Sequence, residues 1–172
     1  MNGKIWVESQ EGGGTRFYFN LPLVEVESKT IQYFQQKLEP ASYQWEDKTI
    51  LIAEDDNNNF FFLRSTLKST GAKIIRAQDG KQAVGAVKKN KEINVVLMDI
   101  QMPGMNGYEA TQNIKLIRPD LPVISQTAYA MAGEREKSFK SGCDDYISKP
   151  IDIDLLFSKL SRYLHAGVTQ EN

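Results

Sequence analysis

The chain has 172 residues, 41% of them hydrophobic and 25% charged, with 21 Lys and Arg against 22 Asp and Glu. That is globular composition at a length suited to one ordinary domain plus an extension. The net charge of −1 gives no electrostatic reason to expect nucleic acid or an anionic membrane as partner.

The first element expected is a β-hairpin, Ile5-Trp6-Val7-Glu8 and Arg16-Phe17-Tyr18-Phe19 flanking Gly12-Gly13-Gly14. Two strands alone are marginal in water, so the hairpin needs a larger sheet or a docking partner. Its unpaired edges offer one route to a homodimer. Val24 to Asp47 reads as a connector with a short helix carrying Ile31, Phe34 and Leu38. Tyr33, Phe34, Tyr43 and Trp45 make it aromatic rather than Gly/Ser-rich, so it is expected to pack rather than swing freely.

From Lys48 onward strands alternate with helices. Thr49 to Ala53 is a short, wholly apolar run, as in a parallel strand covered on both faces. Asn57-Asn58-Asn59 supplies capping material for a helix with Phe60, Leu63 and Leu67 on one face, stopped at Gly71. Strands follow at Lys73–Ala77, Asn94–Met98, Pro122–Gln126 and Asp145–Ser148. Helices follow at Gln82–Asn90, Gly107–Ile117, Ala132–Ser141 and Asp152–Leu164, the last with Ile153, Leu156, Leu160 and Leu164 along one side. Five alternations argue for an α/β, doubly wound, five-stranded parallel sheet of the flavodoxin-like order 2-1-3-4-5, with the hairpin as an amino-terminal extension.

In such a sheet ligands bind beyond the carboxyl ends of the strands. The first strand presents Glu54 and Asp55 there, the third Asp99, the fourth Thr127 and the fifth Lys149. In the order 2-1-3-4-5 the first and third strands are neighbours, so their carboxylates converge. Clustered carboxylates repel one another unless a cation sits among them, and the hard, oxygen-loving ion used with phosphoryl groups is Mg2+. Lys149 and Thr127 add a positive charge and a hydroxyl, completing a clamp for a phosphoryl group carried by an aspartate. Taken singly, Glu54-Asp55-Asp56 reads as a solvated turn and Thr127 and Lys149 as surface residues. It is their coincidence at the strand ends that points to a site. One cysteine, Cys143, excludes a disulfide framework, and one histidine, His165, excludes a multi-histidine metal centre.

The run from Val95 to Gly107, with Met98-Asp99-Ile100-Gln101-Met102-Pro103-Gly104, strongly resembles the phosphoacceptor segment of response-regulator receiver domains. Ile50 to Asp55, Ser125-Gln126-Thr127-Ala128 and Asp145 to Pro150 match the family's other segments in order. The resemblance spans roughly Lys48 to His165. It implies that Asp99 is phosphorylated, that Asp55 is a direct Mg2+ ligand with Glu54 beside it, and that the backbone carbonyl of Gln101 also binds the metal. It further implies that Thr127 is the switch hydroxyl, Lys149 the positioned cation, Tyr146 the aromatic that moves with Thr127, and Lys149-Pro150 a cis peptide. Glu54 replaces the more frequent aspartate. Tyr129 and Gln101 match positions beside the line of water attack, implying slow self-hydrolysis.

Asn2 to Ser9 with Gly12 to Phe19 and Leu21-Pro22-Leu23 resembles the end of a histidine-kinase ATP-binding domain. The chain as a whole therefore resembles the carboxy-terminal part of a hybrid sensor histidine kinase. Residues 1–23 would be the kinase hairpin, 24–47 a linker, 48–165 the receiver and 166–172 a tail. The resemblance implies phosphoryl transfer from a phosphohistidine, on a kinase dimerisation domain or a histidine phosphotransfer protein, to Asp99. The switched face would then be that of the fourth helix, fifth strand and fifth helix. His165 sits at a helix end without the acidic neighbour of a donor histidine, so the donor lies elsewhere. No complete kinase site is present, so catalysis by this segment beyond its own aspartyl chemistry stays open. No run is long and apolar enough to cross a bilayer and no secretory signal core follows Met1, so a cytoplasmic location is expected, with any anchor elsewhere in a parent protein. The alternative reading is a receiver-like interaction module that is not phosphorylated. A flavin binder is disfavoured because three acids after the first strand repel phosphate. A dehalogenase-type phosphatase is disfavoured because Gln101 stands where a second aspartate is needed.

Overall fold

Every residue of Thr49–Ala53 is buried, the outcome expected of an apolar run sandwiched between two helical layers. A computed structural model describes residues 3–10, 12–20, 43–128 and 132–165. The chain divides into one unit up to Ala41 and a second from Ser42 onward. The connector helix expected around Ile31 to Leu38, Tyr129 and the tail 166–172 lie outside the described residues.

In the first unit β1 (Lys4–Gln10) pairs antiparallel with β2 (Gly14–Asn20), Trp6 opposite Tyr18 and Glu8 opposite Arg16. Trp6 and Tyr18 stack at 5.3 Å between ring centroids. Gly12 and Gly14 take φ of 76° and 85°, a region costly for any side chain, so the glycine run serves the turn. Ile5, Val7, Phe17 and Phe19 are all exposed within the hairpin.

The second unit alternates β3 (Thr49–Ala53), α1 (Asn57–Leu67), β4 (Lys73–Ala77), α2 (Gly80–Lys89), β5 (Ile93–Asp99), α3 (Gly107–Ile117), β6 (Val123–Thr127), α4 (Ala132–Lys140), β7 (Asp145–Ser148) and α5 (Ile153–His165). The strands form one parallel sheet in the order β4-β3-β5-β6-β7, which is 2-1-3-4-5 counted within the unit. Alternate residues of each strand feed two separate cores. Ile50, Ile52, Val95, Leu97, Ile124 and Ile147 pack with α1 and α5, whereas Leu51, Ala53, Val96, Met98 and Val123 pack with α2 and α3.

Several boundaries differ from expectation, each for a local reason. Asp56 caps α1, its carboxylate accepting from Asn59 N at 2.8 Å, so the acidic cluster itself supplies the cap. Asp79 caps α2 and starts it two residues earlier than the apolar pattern suggests. β6 begins after Pro122, which has no N–H for the ladder, and includes Thr127. On α5 the buried positions are Leu156, Leu160 and Leu164 with Phe157, while Ile153 is exposed. Trp45, assigned to the linker from sequence, has no exposed surface and packs on Tyr43 and Phe157 at 5.0 and 5.9 Å. Its N–H donates to Thr70 O at 2.7 Å. The packed core of this unit thus reaches back before Lys48.

Candidate phosphoacceptor site

The same alternation that splits the two cores puts the site on one face. Glu54 lies two residues beyond Ile52, Asp99 two beyond Leu97 and Lys149 two beyond Ile147, all on the face packed by α1 and α5. The parallel register Ala53↔Met98 brings Glu54 level with Asp99 at the carboxyl end of the sheet. Carboxylate oxygens of Glu54, Asp55 and Asp99 fall within 4.8 Å of one another.

Lys149 joins the two buried acids. Its ammonium donates to Asp99 Oδ2 at 2.7 Å and to Glu54 Oε2 at 2.9 Å. Burial alone would lower the lysine pKa, but the hydrogen bonds and charges of Asp99 and Glu54 outweigh it, and the group is held above its ordinary value. Glu54 is fully buried and its pKa is also raised, but here burial is the largest cause. Desolvation raises its pKa, the Lys149 hydrogen bond opposes this, and the charge of Asp99 raises it further. Three carboxylates against one ammonium leave a surplus of negative charge, and Asp55 is open to solvent. A hard divalent cation approached through that open side answers both features.

The supporting loops are tightly specified. Glu54 Oε1 accepts from Asp56 N at 3.3 Å and from Asn59 Nδ2 at 3.2 Å, tying the acid to the start of α1. Asp99 Oδ1 accepts from the backbone N–H of Gln101 at 3.1 Å. The first residue of α3, Gly107, donates to Ile100 O at 3.0 Å, and a Cβ there would collide with the Asp99 carbonyl. Glycine at that position lets α3 start against the strand end that carries Asp99. Asn106 and Glu109 form a reciprocal capping box at the same point. Lys149-Pro150 is cis.

Thr127 is buried at the end of β6, on the opposite face of that strand from the ion-paired acids. Its carbonyl accepts the Lys149 N–H at 2.7 Å. Tyr146 is half-buried, edge-on to Phe139 at 6.2 Å, with Lys159 Nζ and Arg135 Cζ 5.4 and 5.7 Å from its ring centroid. Among the described residues of α4 the buried side chain is Ser138, which sits among hydroxyls. Ser138, fully buried, meets Ser125 Oγ at 3.1 Å, and Ser141 Oγ donates to Ser138 O at 2.7 Å.

Sequence reasoning missed Arg76. Its guanidinium donates to the carbonyls of Asp55 and Glu54 at 3.2 and 3.4 Å and lies 4.3 Å from the Phe60 ring centroid. An arginine at the end of an edge strand gives no sequence signal, because its targets are backbone atoms on the neighbouring strand.

Residues 50–161 match the response regulator receiver domain family. The chain belongs to that family. It is 36% identical over 141 residues to the sensor histidine kinase RcsC of Escherichia coli K12, covering 82% of this chain but 15% of RcsC. Across the hybrid kinases it resembles, the chain spans between 8% and 15% of their length. The receiver domain of sensor histidine kinase PA1611 from Pseudomonas aeruginosa, solved with magnesium in its active-site cleft, superimposes with a TM-score of 0.65 at 31% identity, covering 69% of this chain and 98% of that one. The receiver domain of Saccharomyces cerevisiae Ssk1, co-crystallised with the phosphotransfer protein Ypd1, has the same fold. It aligns with a TM-score of 0.68 at 24% identity, over 73% of this chain and 95% of that one. Receiver domains bind Mg2+ at an acidic site and act in two-component phosphorelays, and this chain supplies such a domain. No helix among the described residues is long and apolar enough to cross a membrane.

Proposed function

We infer that Asp99 accepts a phosphoryl group from a phosphohistidine. The observation that carries this is the convergence of Glu54, Asp55 and Asp99 within 4.8 Å, with Lys149 bridging the two buried members. A carboxylate oxygen of Asp99 attacks phosphorus, the P–N bond breaks with its electron pair returning to the ring nitrogen, and the donor leaves as neutral imidazole because its other ring nitrogen carries a proton. Asp55, Glu54, Asp99 and the Gln101 carbonyl are the groups that would hold Mg2+. Bound there, the ion supplies positive charge for the phosphoryl oxygens. Lys149, already seated on Asp99, follows the new charge. Thr127 and Tyr146 are assigned to the switch, and the small-residue seam under α4 supports it, since few apolar anchors resist displacement.

The donor is assigned to another domain or chain, either a kinase dimerisation domain or a histidine phosphotransfer protein. An open cavity of about 200 Å3 lined by Asn59, Phe62, Lys149, Pro150 and Ile151 adjoins the site, with Phe61 and Phe62 exposed on α1. Such apolar surface at the mouth suits a protein donor rather than a small molecule alone. Residues 1–23 are assigned to the end of a kinase ATP-binding domain. The exposed apolar side chains of the hairpin support its origin in a larger sheet.

The test is radiolabel transfer from a phosphorylated donor with and without Mg2+. Label is expected on the wild-type chain only with the metal, and none on Asp99→Ala. Transfer to Asp99→Ala at the wild-type rate would overturn the assignment. Mg2+-dependent beryllofluoride binding, followed by chemical-shift changes around Thr127, tests the switch separately.

A further inference from the structure

Gln126 is the one side chain on the site-bearing face of β6 at the level of Asp99, with which it pairs in register. It has no exposed surface, yet neither Oε1 nor Nε2 has a hydrogen-bond partner. An amide shut away from water with both ends unpaired is among the costlier arrangements in a folded protein, and one that usually has a specific cause.

The cause lies directly across from it. Lys149 projects from the end of β7 and reaches Asp99 on β5 and Glu54 on β3, and β6 lies between β7 and β5 in the sheet. The lysine stem therefore crosses β6 on the face where Gln126 sits, two residues beyond Ile124 in the α1/α5 core. An ammonium has three N–H donors. Two are spent on Asp99 and Glu54, and the third has no partner among the described residues. A vacant donor and a vacant acceptor thus share one face of adjacent strands.

We propose that Gln126 is a positioning residue for Lys149, its amide oxygen accepting the third ammonium N–H after a rotamer adjustment. Resting on the assignment of Asp99 as phosphoacceptor, the role is specific. Both present acceptors of Lys149 are carboxylates whose duties change when a cation and a phosphoryl group arrive. Gln126 gives the ammonium a neutral acceptor that does not change, keeping it over the reacting oxygen.

The first arm of the test needs no phosphorylation. Urea unfolding of the full chain without metal is compared for Gln126→Met, Lys149→Met and the double variant. A charge-assisted hydrogen bond predicts that the two substitutions are coupled, by about tenfold in the unfolding equilibrium constant. Additive effects would overturn the proposal, because a purely packing role for Gln126 is felt equally with or without the lysine. The second arm keeps Lys149 and measures phosphorylation by phosphoramidate. Gln126→Met is expected to lower the saturated rate about tenfold with the Mg2+ half-saturation point unchanged. An unchanged rate, or a proportional loss of Mg2+ affinity, also overturns it. If the wild-type chain takes up no phosphoryl group at all, the reading of Asp99 fails instead, and the metal-free coupling still judges Gln126.

Discussion

Lys149→Met isolates the electrostatic core of the site. The substitution keeps the length of the stem but removes the ammonium that bonds both Glu54 and Asp99, whose side chains are 1% and 7% exposed. Removing one partner of a buried ion pair costs about 3–5 kcal/mol, since the charge left behind has no compensation. The lysine side chain is itself 23% exposed and Asp55 opens to water, so the lower end applies, about 3 kcal/mol at pH 8 without metal. The loss must depend on pH. Glu54 already titrates above its ordinary value of 4.5, chiefly through burial, and losing the lysine pushes it higher. The native state then holds a proton that the unfolded state has released, so stability falls as pH rises from the unfolded value through the native one. The loss should therefore be smaller at pH 5 than at pH 8. Mg2+ should restore much of it at pH 8, because the variant keeps all three carboxylates and no ammonium occupies Glu54 Oε2 and Asp99 Oδ2. At a hundred times its dissociation constant the ion adds about 2.7 kcal/mol. Urea unfolding at both pH values, with and without Mg2+, reads all three effects. Equal stability of variant and wild type at pH 8 without metal would refute the reasoning, as would a Mg2+ gain no larger than that of wild type.

Trp45→Ala should cost about 3–5 kcal/mol, the usual range for emptying a fully buried tryptophan site, and a chain beginning at Lys48 should unfold at lower urea than one beginning at Tyr43. Equal midpoints for the two truncations would show that Tyr43 and Trp45 add nothing to the core. Arg76→Lys keeps the charge but loses the guanidinium Nη2 that donates to the carbonyls of both Glu54 and Asp55, so Mg2+ half-saturation should rise about threefold with the fold retained, read by NMR titration. The Cys143 thiol is pushed above its ordinary 9.0 mainly by burial, so the native state keeps its proton longer than the unfolded state does. Stability should therefore fall as pH rises through 9.0, a slope absent from Cys143→Ala, and native labelling by a thiol reagent should be at least about a hundredfold slower than in urea.

What could be read from the chain was whatever its one-dimensional pattern encodes directly. Continuous apolar runs such as Val95 to Met98 mark strands covered on both sides, and a parallel sheet sends the residues after those runs to one rim. That rule alone brought Glu54, Asp55, Asp99 and Lys149 together before any coordinate. Trp45 was expected to pack, but where it packs was not legible, because its partner Phe157 lies more than a hundred positions away in the sequence. Asp56 is exposed, as a solvated turn would be, and its second role as the cap of α1 shows only once the helix start is known.

Gln126 shows where the signal was present but unread. The strand expected over Pro122–Gln126 ends on Gln126, to which no role was given. Parity with Ile124 already put Gln126 on the buried face, in the same row as Asp99. A polar residue at a position whose period demands hydrocarbon has to be explained by what crosses above it, and only the sheet order reveals that Lys149 does. The same logic separates the two ends of β6 chemically. One face carries the amide beneath the lysine, while the other carries Ser125 against Ser138 of α4 and then Thr127. Both faces of one short strand thus carry polar groups, and the helix on its far side meets it through the Ser125–Ser138 hydroxyl pair.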